Sequence, residues 1–270
     1  MNNNPIGVFD SGIGGLTVLE EIKRVLPKLA INYLADTKSL PLGNKSAGYI
    51  LERVIKGIDF LFSRGCNLVL LACNTASVTS IRKIQQDWLK KNYKLKNVLG
   101  ISFPLIEEIK QKYSFLKDEP GLIFSTYATH KTEFYESELA KIGFRYIETI
   151  SSSKLVMSIE QEDRIAIGRE IEKLMESSKI KPNLVKFVIL ASTHYPLALE
   201  EFKNNFSSET FLIDSSKTVA IRLENYLKRH SEYIVGNGVD LYWETDKSPN
   251  INEKASRILK TAVSFNSIEL

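Results

Sequence analysis

Leu68-Val69-Leu70-Leu71-Ala72-Cys73-Asn74-Thr75-Ala76-Ser77 is the stretch on which the fold turns. Four apolar residues end in a small one, a thiol follows, and three polar or small residues open what reads as a helix. The pattern is that of a buried strand running into a helix N-terminus, with Cys73 at the turn. In an open parallel sheet, ligands bind at the carboxyl ends of the strands. A helix start adds free N–H groups and partial positive charge. Both favour a thiolate, the reactive form of cysteine. Working outward, the unit recurs. Val188-Ile189-Leu190-Ala191-Ser192-Thr193-His194-Tyr195 matches Val69 to Ala76 position for position at an offset of 119, and Ser192 falls where Cys73 falls.

The flanking chain alternates strands and helices. Ile6-Gly7-Val8-Phe9 reads as a short buried strand ending at Asp10-Ser11-Gly12-Ile13-Gly14-Gly15. Leu16, Leu19, Ile22 and Leu26 then mark one helical face. Ile31 to Ala35 is the next strand, and Pro41-Leu42-Gly43-Asn44 has turn chemistry. A helix from about Ser46 carries Ile50, Val54, Ile58 and Leu61 and ends near Gly65. Further on, Leu122-Ile123-Phe124 ends at Ser125-Thr126 and resembles Val8-Phe9-Asp10-Ser11 at an offset near 115. Tyr146-Ile147-Glu148-Thr149 resembles Tyr33 to Asp36, and Leu212 to Ser216 resembles Leu99 to Phe103, both at 113. Four matches at similar offsets predict an α/β protein of two similar domains with mainly parallel sheets. The expected division is 1–97 plus 215–270 for the Cys73 side and 98–214 for the Ser192 side, with strand ends facing across a cleft. The tail, with a strand over Val239–Trp243 and a closing helix, has no counterpart and is expected to pack back on the first half.

Composition narrows the functional classes. The chain has 270 residues, 43% hydrophobic and 25% charged, as in ordinary globular domains. Its net charge of +4 comes from scattered lysines, which predicts no nucleic-acid and no membrane face. The first residues lack the basic and apolar regions of a signal peptide. Cys66 and Cys73, on one extended segment, would lie roughly 23 Å apart, too far for a disulfide or a shared metal. With only three histidines, no metal site is expected, and a reducing cytoplasm is the expected location.

Two mirrored strand ends, each with a proton-handling side chain, suit one chemistry. A carbon acid held between them loses a proton on one face and gains one on the other, which inverts its configuration. The base needs a pKa near the working pH; Asp10 and His194 are the candidate partners that would tune the two sides. Blander readings stand beside each feature. Cys73 alone reads equally as a small buried hydrophobe, and His194 alone as a hydrogen-bonded structural residue. Gly12-Ile13-Gly14-Gly15 is neither a dinucleotide fingerprint, since Thr17 stands where the last glycine belongs, nor a P-loop. It is expected to grip a small carboxylate at the helix N-terminus. Thr126, Thr129, Thr132 and Tyr135 partly share a helix start, where plain N-capping would explain them. Glu160 reads as a solvated helix-start acid unless the cleft includes it.

Three motifs together carry a resemblance. Phe9-Asp10-Ser11-Gly12-Ile13-Gly14-Gly15-Leu16-Thr17, Ala72-Cys73-Asn74-Thr75-Ala76 and Thr193-His194-Tyr195-Pro196-Leu197 resemble, in order and spacing, the signatures of bacterial glutamate racemases. The similarity runs nearly end to end. It implies a two-domain α/β fold and interconversion of L- and D-glutamate without pyridoxal phosphate, metal or other cofactor, supplying D-glutamate for peptidoglycan, with a homodimer as the family habit. It implies Cys73 as one of two proton-transfer cysteines, on the side that usually serves the D-enantiomer, with Asp10 assisting it. Asp10, Ser11, Asn74, Thr75, Thr126, Thr193 and His194 are implied as substrate contacts, His194 also as the assistant on the second face, and Leu42-Gly43 as a substrate-contacting loop. Two positions depart from the family pattern. Leu42 stands where tyrosine is common, and Ser192 stands where the second cysteine is usual. A serine hydroxyl is a far weaker acid than a thiol, so proton removal on that face should be poor. Several readings stay open. One is a racemase carrying a changed residue. Another is a slow or one-sided racemase of glutamate or another acidic amino acid. A third is a one-cysteine relative such as a decarboxylase or cis–trans isomerase. A non-catalytic regulatory or binding protein is the fourth.

Overall fold

The computed structural model describes residues 4–233 and 238–270. Two parallel sheets organise it. The six-stranded sheet has the order β10-β9-β2-β1-β3-β4. Its strands are β1 (Ile6–Asp10), β2 (Ile31–Ala35), β3 (Leu68–Leu71), β4 (Asn97–Gly100), β9 (Leu241–Glu244) and β10 (Phe265–Ser267). The four-stranded sheet, β6-β5-β7-β8, contains β5 (Gly121–Thr126), β6 (Ile147–Ser152), β7 (Phe187–Ala191) and β8 (Phe211–Ile213). Every strand pair is parallel.

The repeat seen in the sequence is a repeat of topology. The order β2-β1-β3-β4 is copied by β6-β5-β7-β8. Phe9 sits in register with Leu34 and Leu71, and its counterpart Phe124 with Ile150 and Leu190. Strands covered by helices on both faces need apolar residues at every position. Accordingly β1, β3, β5 and β7 are buried throughout. Alternate residues feed opposite layers: Val8, Tyr33 and Leu70 face one apolar cluster, Phe9, Leu34 and Leu71 the other.

The helices cover these faces. The first domain carries α1 (Gly15–Val25), α2 (Ala47–Ser63), α3 (Asn74–Lys83) and the short α4 (Leu89–Asn92). The second carries α5 (Ser102–Lys112), α6 (Tyr127–His130), α7 (Phe134–Lys141), α8 (Leu155–Glu160), α9 (Arg164–Glu176) and α10 (Leu199–Asn205). The tail adds α11 (Ser216–Arg229) and α12 (Ile251–Leu259). The expected ends of α2 hold. The Ser46 hydroxyl accepts from Tyr49 N, and Gly65 (φ +86°) allows Cys66 N to reach Leu61 O and Gly65 N to reach Phe62 O.

The tail does return to the first domain, as Val219, Leu223, Ile251 and Ala255 share a cluster with Leu16, Leu19 and Ile22. Its strand begins later than expected, at Leu241; Val239 is exposed. A final strand, β10, was not foreseen. The domain boundary also needs correcting. A break after Asn97 would assign β4 to the second domain, yet β4 pairs with β3 in the first sheet. The repeat itself gives the reason: β4 is the counterpart of β8, so it closes the first unit rather than opening the second. The crossover is α5, whose Leu105, Ile106 and Ile109 pack with Ile123 and Ile189.

Candidate active site

The first strand tip is built by β1 and β3. Cys73 is the residue before α3, in extended backbone, and is 5% exposed. The Ser11 hydroxyl lies 3.9 Å from its Sγ. Asp10 is fully buried; its Oδ1 accepts from Gly12 N at 2.8 Å and its Oδ2 from the Thr193 hydroxyl at 3.1 Å. The expected thiolate is overturned. Burial, followed by the nearby Asp10 charge, pushes the Cys73 thiol up to about 12, outweighing the Ala76 and Thr75 N–H groups and Ser11. In the resting site Cys73 holds its proton. Burial likewise raises Asp10 to about 6, against the pull of His194, Gly12 and Thr193.

The second tip, at the end of β7, holds Ser192, Thr193 and His194, all buried. His194 N donates to Ser192 Oγ at 3.4 Å. The imidazole Nε2 lies 2.7 Å from Glu160 Oε1. Burial alone would lower His194, but the Glu160 hydrogen bond and charge, with Asp10 beyond, carry it upward. Burial would raise Glu160, yet His194 holds it below the usual carboxylate range. Both shifts favour the ion-paired form of this buried histidine–carboxylate contact. Glu160 is not the solvated acid its position suggested. It ends α8 at 5% exposure, and its carboxylate also accepts from Ile13 N at 3.0 Å. A sequence signal existed: Glu160 follows Leu155, Val156 and Ile159, an apolar face with one acid at its end.

The glycine loop is corrected by the same bonds. Its Gly12 and Ile13 N–H groups engage Asp10 and Glu160, so the carboxylates it grips are the protein's own. Glycine is required at position 14 by close approach. A Cβ there would lie 2.5 Å from His194 Nδ1 and 2.7 Å from Thr193 Oγ1.

A web of hydroxyls joins the start of α3 to the end of β5 and to α6. Thr75 Oγ1 meets Thr126 Oγ1 at 2.9 Å and Thr129 Oγ1 at 3.3 Å. Thr126 also caps α6, so both readings of that threonine hold. Asn74 Nδ2 donates to Tyr135 OH at 2.7 Å, while Asn74 Oδ1 is buried with no hydrogen-bond partner among the described residues. The structure thus brings together Asp10, Ser11, Cys73, Asn74, Thr75, Thr126, Ser192, Thr193 and His194, and adds Glu160 and Tyr135. Leu42 packs its side chain into the apolar cluster of Phe9, Cys73, Ala76 and Ala128. Gly43 backs onto Thr126, whose side chain would occupy the place of a Cβ.

One consequence concerns stability. A carboxyl whose folded pKa is raised from 3.8 to about 6 favours folding most while protonated. That stabilisation is present below about pH 4 and is lost as pH rises through about 6, by roughly 3 kcal/mol. Asp10→Asn keeps an acceptor for Gly12 N without the charge. It should unfold at a higher temperature than the parent at pH 7 and at nearly the same temperature at pH 4, as read by thermal denaturation at the two pH values.

A duplicated α/β unit whose strand tips bury a thiol, a hydroxyl and a histidine–glutamate pair is the architecture of the amino-acid racemase class of isomerases, to which the following likenesses assign the chain. Solved structures agree. Glutamate racemase isoform RacE1 from Bacillus anthracis superimposes with a TM-score of 0.84 at 26% identity, covering 100% of this chain and 99% of that one. The Escherichia coli glutamate racemase, in complex with L-glutamate and the activator UDP-MurNAc-ala, gives 0.78 at 25% identity, with 98% of each chain covered. No family model matches the chain. The curated glutamate racemase of Paracoccus denitrificans is 32% identical over 271 residues, 97% of this chain and 99% of that protein. The chain belongs to the glutamate racemase family. Among the described residues, no helix is long and apolar enough to cross a membrane.

Proposed function

We propose that this protein interconverts L- and D-glutamate by moving a proton between the two faces of Cα, with the Ser192 face slowed. The supporting observation is the bond between Thr193 Oγ1 and Asp10 Oδ2, which ties the second tip directly to the partner of Cys73. Cys73 and Asp10 act as one unit with a shared proton, because the negative charge of either raises the proton affinity of the other. When Asp10 takes the proton, the Cys73 thiolate abstracts Hα from D-glutamate. On the opposite face the Ser192 hydroxyl, backed by the His194 imidazolium, returns a proton. Ser11, Thr75, Thr126 and Thr193 supply hydrogen bonds to the carboxylates, and the unpartnered Asn74 Oδ1 takes the amino group. With no cofactor in this reading, those donors carry the stabilisation of the developing carbanion. Glutamate as substrate is supported by the Escherichia coli relative, which holds L-glutamate. A cytoplasmic homodimer supplying D-glutamate for peptidoglycan fits the same reading.

Incubation of each enantiomer in deuterium oxide tests it. D-Glutamate should gain deuterium at Cα much faster than it inverts, and L-glutamate should exchange slowly. A protein that labels neither enantiomer is not this enzyme, and carbon dioxide release from a malonate would favour a decarboxylase instead.

A further inference from the structure

The tail helix α12 reaches from the first domain onto the segment that carries Glu160. Ile251 and Ala255 fix one face of α12 against α1. Lys254 and Arg257 project together from another face, three residues apart. Lys254 Nζ donates to the Glu160 carbonyl oxygen at 2.5 Å. Arg257 forms an ion pair with Glu162, which has left-handed backbone (φ +57°) just past the end of α8. A carbonyl in the last turn of a helix has no partner within that helix, and lysine is suited to satisfy it. Here the lysine is supplied by the other domain. Glu160 is thereby held at two points from the first domain, its carboxylate by Ile13 N and its carbonyl by Lys254.

We infer that Lys254 is a positioning residue, whose ammonium fixes the Glu160 backbone so that the Glu160 carboxylate stays on the His194 imidazole. The inference rests on reading the Ser192 face as one of the two proton-transfer faces. The charged and titratable groups facing the pair are Asp10 from β1, Cys73 beyond it at the end of β3, Tyr33 from β2 and Lys254 from α12. Loss of the lysine has two opposed effects on the imidazole. Removal of a nearby positive charge by itself raises the proton affinity of His194. Release of Glu160 from its hydrogen bond lowers it. The direction of the shift therefore separates positioning from charge alone.

The experiment follows the His194 imidazole by NMR pH titration in the full chain and in Lys254→Met and Lys254→Arg. The midpoint should fall by about one pH unit in Lys254→Met and stay in place in Lys254→Arg. In the same variants, kcat should drop about tenfold in the direction that draws the proton from the His194 face, with KM little changed. A midpoint that rises or does not move in Lys254→Met overturns the inference. Lys254→Ala gives the same reading should the methionine variant not fold. A parent protein without racemase activity would refute the proposed function, while the imidazole titration would still judge the role of Lys254.

Discussion

Ser192→Cys raises the rate of glutamate inversion by about 10²–10³-fold, within the range a well-placed general acid or base contributes. The expectation follows from what already surrounds position 192. It lies one residue past β7, as Cys73 lies two past β3, and both tips are buried. A thiolate there would stand where Ser192 Oγ accepts from His194 N, two residues from an imidazole whose proton affinity Glu160 raises, and a neighbouring cation lowers a cysteine pKa. Serine gains far less from the same neighbour, since its hydroxyl starts as a much weaker acid. The parent should therefore exchange Hα on the Cys73 face and stall before inversion. In the variant, exchange and inversion should converge for both enantiomers. The measurement is circular dichroism for inversion beside mass spectrometry for deuterium uptake. If Ser192→Cys inverts glutamate no faster than the parent, the hydroxyl is not the limiting step and the one-sided account fails.

The sequence carried some levels of this structure better than others. Strand and helix identity is local, so the runs around Phe9, Leu71 and Leu190 and the ends of α2 were legible. The duplication was legible because the two halves keep the same strand-tip residues. The fate of β4 was harder to read, since an apolar strand does not say which sheet it joins; its likeness to β8 held the answer. The burial of Glu160 is hard to read from the chain because its partners, Ile13 and His194, lie 147 and 34 residues away. The state of Cys73 is hard to read for another reason. A helix N-terminus favours a thiolate, and the motifs pair Asp10 with Cys73, but they do not reveal that both groups are shut off from water. At this site desolvation and the Asp10 charge outweigh the N–H groups. The closeness of Asp10 changes what the thiol does. In the proposed mechanism it rests as an acid and becomes a base only when Asp10 takes its proton.

Cys73→Ala should lower deuterium uptake into D-glutamate by 10³-fold or more, a larger loss than any other single change at the site, and should leave the already slow uptake into L-glutamate little changed. On the Ser192 face a poor base remains, so the variant has no competent group left to remove Hα. Serine at 73 should do little better, because Cys73→Ser would place a hydroxyl on both faces. Substrate binding should survive in both variants. The hydrogen-bonding groups Ser11, Asn74, Thr75, Thr126 and Thr193 are untouched, and the hydroxyls of Thr75 and Thr126 hold each other at 2.9 Å without the thiol. Calorimetric titration with D-glutamate should therefore give a Kd within a few-fold of the parent. Asp10 should also respond. It loses an acidic neighbour in Cys73→Ala but keeps its burial and its bonds to Gly12 and Thr193, so its carboxyl should remain raised and the fold intact. Retained binding with exchange lost assigns Cys73 to chemistry; exchange that persists in Cys73→Ala would move the base elsewhere, with Asp10 the nearest carboxylate able to take that role.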